Sequence, residues 1–302
     1  MTTLRRPASR RGGPLGHEGR WALLFLAPTL IGLAVLSAGP ILATLAISLT
    51  SWDLLTAPTF VGLDNFLKLA SDDRFLKAVR NTIFYTVASV PVGMAIALGL
   101  AMALNQAIRG IAFIRTAYFL PVVTSTIAIA LVWQWIYSSD AGLLNQAVGF
   151  FGIPSQRWLS DPVLVMPAIV AMSIWQGLGI NVIIFLAGLQ AIPTELLDAA
   201  SVDGAGRWAR TRSVTLPLLT PSIFFTGILS LIGSFQVFDQ IYVLARPKPT
   251  EATITIVYFI YENGFKFFKM GYATAASWIL FIIVAVLTAV YFWSQDRWVH
   301  YQ

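Results

Sequence analysis

The sequence predicts an all-α, polytopic membrane protein with six transmembrane helices and one cytoplasmic helix set between spans. Three observations predict it. Of 302 residues, 57% are hydrophobic and only 11% charged, whereas a soluble domain carries about 25% charged residues. The charges are also segregated: Trp21–Trp52, Asn81–Ile108, Thr116–Ser139, Pro162–Thr194, Ser213–Phe238 and Met270–Gln295 contain no Asp, Glu, Lys or Arg. Each run is 24 to 33 residues long, and roughly 20 apolar residues cross a hydrocarbon core about 30 Å thick.

The first twenty residues carry Arg5, Arg6, Arg10, Arg11 and Arg20 against Glu18 alone and read as a basic cytoplasmic tail, 1–20. The apolar run that follows is too long for a cleaved signal peptide, whose core is about 7–15 residues. It therefore stays as an anchor and, with an external loop, fills 21–76. Five further spans occupy 77–294, and 295–302 is a second cytoplasmic tail. A basic segment directly before the first span holds that end inside, and six spans return the C-terminus to the same side. On this topology eleven Lys and Arg lie inside and nine outside, so the position of the tail, rather than the tally, carries the orientation.

The loops Asp53–Arg80, Asp140–Asp161 and roughly Ala245–Lys269 then lie outside, while Asn105–Arg115 and roughly Ala191–Thr215 lie inside. Two other uncharged stretches, Ala141–Gln156 and Ala252–Tyr261, are too short to cross and read as interfacial or re-entrant pieces.

Composition removes several classes of function. There is no cysteine, and the two histidines, His17 and His300, sit in the terminal tails. Disulfides, thiolate metal sites and an intramembrane Ser–His pair are therefore not expected, which leaves neither a catalytic nor a metal-binding residue to assign. The net charge of +6 comes from residues flanking the spans, and no basic face alternates with exposed aromatics as a nucleic-acid platform would require. No GxxxxGK[ST] loop is present, so ATP is not bound by that route and no cofactor is expected.

The one cytoplasmic loop large enough to carry an interaction surface runs from Ala191 to Thr215. Pro193 ends the fourth span, and Thr194 is placed to cap a short helix whose first turn holds Glu195 and Asp198, near the positive end of its dipole. Leu196, Ala199, Ala200 and Asp203 share one face with small side chains at its middle, open to close approach. Gly204 is the expected left-handed C-cap. The residues alone allow two readings: a docking surface for a partner, or an amphipathic helix on the lipid headgroups with Arg207, Arg210 and Arg212 on phosphates.

Asp198-Ala199-Ala200, Asp203-Gly204-Ala205 and Leu216-Pro217 stand at spacings that resemble the EAA signature of permease subunits of binding-protein-dependent ABC importers. Other stretches resemble the sugar-type branch, with the maltose and glycerol-3-phosphate systems: FVGLDNF (Phe60–Phe66), Asn81-Thr82, Phe113-Ile114-Arg115 with Tyr118–Pro121, FQVFDQIYVL (Phe235–Leu244), YENGF (Tyr261–Phe265) and MGYATAAS (Met270–Ser277). The resemblance implies a multi-pass protein of a bacterial or archaeal cytoplasmic membrane. It further implies a second permease subunit, a dimer of ATP-binding subunits, an external solute-binding protein and a sugar-like solute as partners. In that family the loop is a coupling helix docked on the ATPase, which assigns the contact to Glu195, Asp198, Ala199, Ala200, Asp203, Gly204 and Ala205. Three departures stand out: Asp198 replaces the usual Glu, Thr211 the usual bulky aromatic, and Ala245–Pro249 a Thr-Gly-Gly-Gly-Pro stretch.

Within the spans, Asp239 is the lone carboxylate bracketed by apolar residues, with Gln236 and Gln240 within a turn. An intramembrane ionisable group is a functional hypothesis by default, so Asp239 and Gln236 are expected to face the solute pathway. The alternative for Asp239 is the external headgroup layer or a partner subunit. Asn181 and Gln176 are further pathway candidates that interhelical hydrogen bonding would equally explain. A stand-alone secondary transporter and a channel are the rival transport classes. The sequence shows neither the repeated halves of the first nor the filter signature of the second, and neither needs the cytoplasmic motif.

The topology is testable because the chain has no cysteine. A cysteine at Ser201 is expected to react with a membrane-impermeant thiol reagent only after permeabilisation, and one at Ser139 in intact cells or spheroplasts. The opposite pattern would invert the orientation.

Overall fold

The computed structural model describes residues 17–106, 110–245 and 251–299. The expected tail before residue 17 and the departure at Arg246–Pro249 lie outside the described residues.

The chain is helical almost throughout: α1 (His17–Leu33), a π turn over Ala34–Ala38, α2 (Gly39–Ser48), α3 (Asp64–Ala70), α4 (Asp73–Leu104), α5 (Ile111–Val123), α6 (Thr126–Ile136), α7 (Leu143–Phe150), α8 (Val165–Gln190) and α9 (Thr194–Val202). Then follow α10 (Arg207–Arg210), a second π turn, α11 (Leu216–Leu218), α12 (Thr220–Phe235), α13 (Asp239–Leu244), α14 (Ile256–Tyr261) and α15 (Met270–Ser294). A two-residue antiparallel ribbon pairs β1 (Thr50–Ser51) with β2 (Thr59–Phe60).

Among the described residues four stretches are long and apolar enough to cross a bilayer: Trp21–Ser48, Asp73–Leu104, Val165–Gln190 and Met270–Arg297. The number reaches the expected six when each of two bent pairs is taken as one span. In the first pair, Thr116–Val123 and Thr126–Ile136 meet at 111°; in the second, Arg207–Leu218 and Thr220–Phe235 meet at 63°. Pro217 and Pro221 flank the second bend, and each removes a backbone donor from the helical ladder there. At the first, Thr124 and Ser125 are extended, with ψ of 141° and 130°.

Expected boundaries moved for local reasons. The second long helix begins at Asp73 rather than Asn81, because Asp72 Oδ1 accepts from the amides of Arg74 (2.8 Å) and Phe75 (3.0 Å). Its charged first turns are tied down by an Arg74–Glu262 ion pair and by Lys77–Glu251 at 2.7 Å. The fifth span does not run to Phe238. The helix stops at Phe235, and Asp239 opens the separate α13.

Parallel packing of α4 and α8 organises the bundle. At one end Phe75, Ala78 and Tyr85 of α4 join Val165, Ile169 and Met172 of α8 in an apolar cluster that takes in α6, α13, α14 and α15. At the other end Ala97, Ala101 and Leu104 meet Val182, Phe185, Leu186 and Leu189. Close approach demands small residues: a Cβ on Gly179 would strike the Tyr118 carbonyl and Val122 of α5, and one on Gly188 would strike Ser222 and Leu219. The first crossing stretch is unlike the others, for none of its most apolar window is buried in the chain. Its α2 end lies against α15.

The family-like motifs have structural uses. Asn65, in the FVGLDNF stretch, donates to the carbonyls of Ser48 (2.8 Å) and Thr50 (2.9 Å), locking the end of the first crossing helix to α3. Gly271 leaves no room for a Cβ against the Thr50 carbonyl, and Tyr272 donates to Asp72 at 2.6 Å. The piece Ala252–Tyr261 is not surface-lying, since Ile254, Ile256, Tyr258 and Phe259 are core residues.

Thr82, fully buried, accepts from the amide of Ile256 at 3.0 Å and donates to the Ala78 carbonyl. Thr82→Val keeps the shape but orphans that amide, and is expected to destabilise the protein by about 1–3 kcal/mol. Thermal unfolding in detergent checks this; an unchanged midpoint would show that Ile256 finds another partner.

Candidate functional site

Two features stand apart from simple packing: the loop after α8 and a polar seam between the helices. In the loop, α9 starts with Thr194 as its first helical residue, not as its cap; Pro193 holds the cap position and no side chain caps the helix. Pro193 has no amide of its own to leave unsatisfied, and its carbonyl accepts from the Leu196 amide at 3.3 Å. The C-terminus is as expected. Gly204 has φ of +77°, Ala205 N donates to the Ala200 carbonyl (2.9 Å) and Gly204 N to that of Ser201 (3.1 Å). This is a Schellman closure.

The face that α9 offers outward is broad. Glu195, Asp198, Ala199, Val202 and Asp203 are exposed, Ala200 and Ala205 half-buried, and Leu196 is 44% exposed. Trp208, on α10, is 75% exposed beside them. Leu197 turns the other way, onto the cluster of Leu189, Ile192 and Leu219. Arg210 donates to Ser201 Oγ at 2.7 Å, which clips α10 to α9. The sequence reading named the small residues but missed Val202 and Trp208, whose apolar bulk in a charged loop was the available signal.

The seam lies between the two core clusters. A cavity of about 250 Å³ is lined by Tyr85, Ser89 and Gly93 of α4, by Ser173, Gly177 and Asn181 of α8, and by Ser230, Gly233 and Ser234 of α12, among others. Tyr85 and Gly233 also line a second cavity of about 250 Å³ with Thr126, Gln236, Val237, Phe238, Asp239 and Gln240. That second cavity sits at two helix breaks, the one before Thr126 and the one between Phe235 and Asp239. Thr126 opens α6 and Asp239 opens α13, and these two short helices pack together.

Asn181 lines the first of these adjoining cavities, and Gln236 and Asp239 line the second. Gln176 does not line either. Its Nε2 donates to Thr126 Oγ1 at 2.9 Å, while its Oε1 is buried with no partner among the described residues. Asp239 is a correction of place: it is half-buried just after a helix break, not bracketed within a continuous span. A break supplies what a carboxylate needs, namely free backbone groups and space for polar ligands.

Sequence reading missed the serines. They were legible as polar and small positions recurring at helical spacing: Thr82, Thr86, Ser89 and Gly93 on α4, and Ser173, Gly177 and Asn181 on α8. Ser234 Oγ donates to Thr86 Oγ1 at 3.0 Å, so part of the stripe joins α12 to α4.

Comparison with known proteins places this geometry. The family model described as "Binding-protein-dependent transport system inner membrane component" matches residues 74–299. A probable ABC transporter permease protein, YesP of Bacillus subtilis, is 36% identical over 92% of this chain and 91% of its own length. The lactose transport system permease protein LacF of Rhizobium radiobacter is 34% identical over 90% and 92%. The sn-glycerol-3-phosphate transport system permease protein UgpA of Agrobacterium fabrum is 35% identical over 80% and 83%. Among solved structures, a chain of a bacterial ABC transporter that imports the acidic polysaccharide alginate superposes with a TM-score of 0.81 at 25% identity, covering 93% of this chain and 96% of that one.

Proposed function

The chain belongs to the family of binding-protein-dependent transport system inner membrane components, and from that premise we propose that it lines the translocation pathway of an ATP-driven importer for a sugar or related small solute. The observation that carries the coupling half of this reading is α9. It is a short helix closed at its C-terminus by Gly204, exposed along Leu196, Ala199 and Val202, and seated through Leu197 on the ends of α4 and α8. An exposed apolar face of this kind needs a partner, and the absence of a phosphate-binding loop from the sequence makes an ATPase subunit the partner of choice. A second permease subunit completes the pathway, and a dimer of ATPase subunits drives it. The N-terminus, the C-terminus and α9 face the cytoplasm of a bacterial or archaeal cell, and the solute-binding protein approaches the opposite end, where α2, α3 and α15 meet.

The pathway half rests on the seam. Serines, an asparagine, glutamines and a carboxylate along adjoining cavities offer both donors and acceptors to a hydroxyl-rich solute. Docking energy from nucleotide-dependent closure of the ATPase reaches the seam through α8 and α12, which touch both the loop and the cavities; the cycle runs only if nucleotide favours one arrangement over another. A stand-alone secondary transporter has no use for α9, and the relatives above carry no such description.

Gly204 gives a clean test. No atom of the chain lies within 4 Å of where its Cβ would be, so Gly204→Val clashes with nothing internal and strains only the left-handed backbone, by about 1–2 kcal/mol. The protein should insert at near-normal level while ATPase retention falls or hydrolysis continues without uptake. Normal ATPase retention and normal uptake in vesicles would make Ala191–Thr215 a lipid-surface helix and remove the coupling role.

A further inference from the structure

The seam has a sign. Among the described residues no lysine or arginine lines either cavity, and Asp239 is the only carboxylate on their walls. Among the described residues Asp239 takes part in no ion pair. The described cations are not among the lining residues: Lys68 and Lys269 line a separate cavity at the α3 and α15 end, Arg74 and Lys77 pair with Glu262 and Glu251, Lys266 lies over the Tyr258 and Tyr261 rings, and Arg207, Arg210 and Arg212, among others, sit at the other end.

We infer that this chain's wall of the pathway carries negative potential, so that it passes uncharged, hydroxyl-rich saccharides and opposes anionic ones, with Asp239 as the residue that sets the discrimination. The inference rests on the pathway reading above. Sugar hydroxyls donate to a carboxylate and exchange hydrogen bonds freely with serine and asparagine. A uronate or phosphate group brings a second negative charge into a narrow space of reduced dielectric, where the repulsion is far larger than in water and no cation on these walls offsets it. The alginate importer whose chain superposes so closely handles an acidic polysaccharide. The shared fold therefore does not by itself exclude acidic solutes, and the discrimination proposed here lies in the side chains of the wall.

The absence of cysteine allows a direct reading of the potential in the assembled complex in membrane vesicles. A cysteine is placed beside Asp239 (Gln236→Cys) or in the adjoining cavity (Ser89→Cys), and its modification by methanethiosulfonate reagents is followed by the mass of this chain. One reagent carries a trimethylammonium group and the other a sulfonate, with rates normalised to those for a free small thiol. At Gln236→Cys the cationic reagent is expected to react about ten-fold faster than the anionic one, with a smaller ratio at Ser89→Cys. Adding Asp239→Asn should bring the ratio to within about two-fold of unity, whereas Asp239→Glu, which keeps the charge, should retain it. Equal rates with Asp239 present, or a ratio indifferent to Asp239→Asn, would overturn the charge inference while leaving the pathway intact. Failure of both reagents to reach either cysteine, with or without nucleotide, would overturn the pathway reading itself and this inference with it.

Discussion

Hydrocarbon offers no partner to a backbone amide or carbonyl, so a helix that breaks inside a bilayer must break against protein or against a polar cavity. This constraint explains why two of the interruptions of the bundle, at Thr124–Ser125 and at Gln236–Phe238, are found together. The helices that follow them, α6 and α13, pack on each other, and the space at their starts is lined by Thr126, Gln236, Asp239 and Gln240. Gln176 reaches in from α8 to bond Thr126. The broken backbone and the polar cavity are one feature, since each supplies what the other requires.

The parallel α4–α8 pair gives that feature a rigid frame. It is sealed by apolar clusters at both ends and lined by serine and glycine between them. Apolar packing excludes water where the helices touch, and small polar residues leave room where they do not. Close-packed interiors shift between discrete arrangements rather than deform smoothly. Leu197 of α9 packs on the cluster of Leu189, Ile192 and Leu219 at the ends of α8 and α12, the helices that carry Ser173, Asn181 and Ser230 to the cavity.

The end of the bundle away from the loop is held differently, by polar contacts with long sequence separation. Asn65 binds Ser48 and Thr50, Tyr272 binds Asp72, Arg74 pairs with Glu262, and the Met270 amide donates to the Trp52 carbonyl. These ties join the end of α2 to α3, α4 and α15, although the body of the first crossing stretch buries nothing within the chain. The stretch is thus anchored at one end and free along its length to meet lipid or another subunit.

Much of this was legible in the sequence, because lipid solvation is a strong filter. Six uncharged runs of spanning length follow from the cost of charge in hydrocarbon, and the Gly204 closure follows from a left-handed turn that glycine adopts without strain. The family resemblance, carried by the Asp-Ala-Ala and Asp-Gly-Ala spacing, could be read without coordinates. Tertiary structure alone decided that two runs are bent. It also decided that Asp239 belongs to a short helix after a break, that Gln176 serves Thr126 rather than the cavity, and that a scattered set of serines faces one space. Hydropathy reports how well a segment tolerates lipid, and it is blind to a kink within a uniformly apolar run. Whether a serine lines a cavity or bonds its own helix depends on which neighbour lies opposite, and that neighbour can be a hundred or more residues away, as Thr86 is from Ser234.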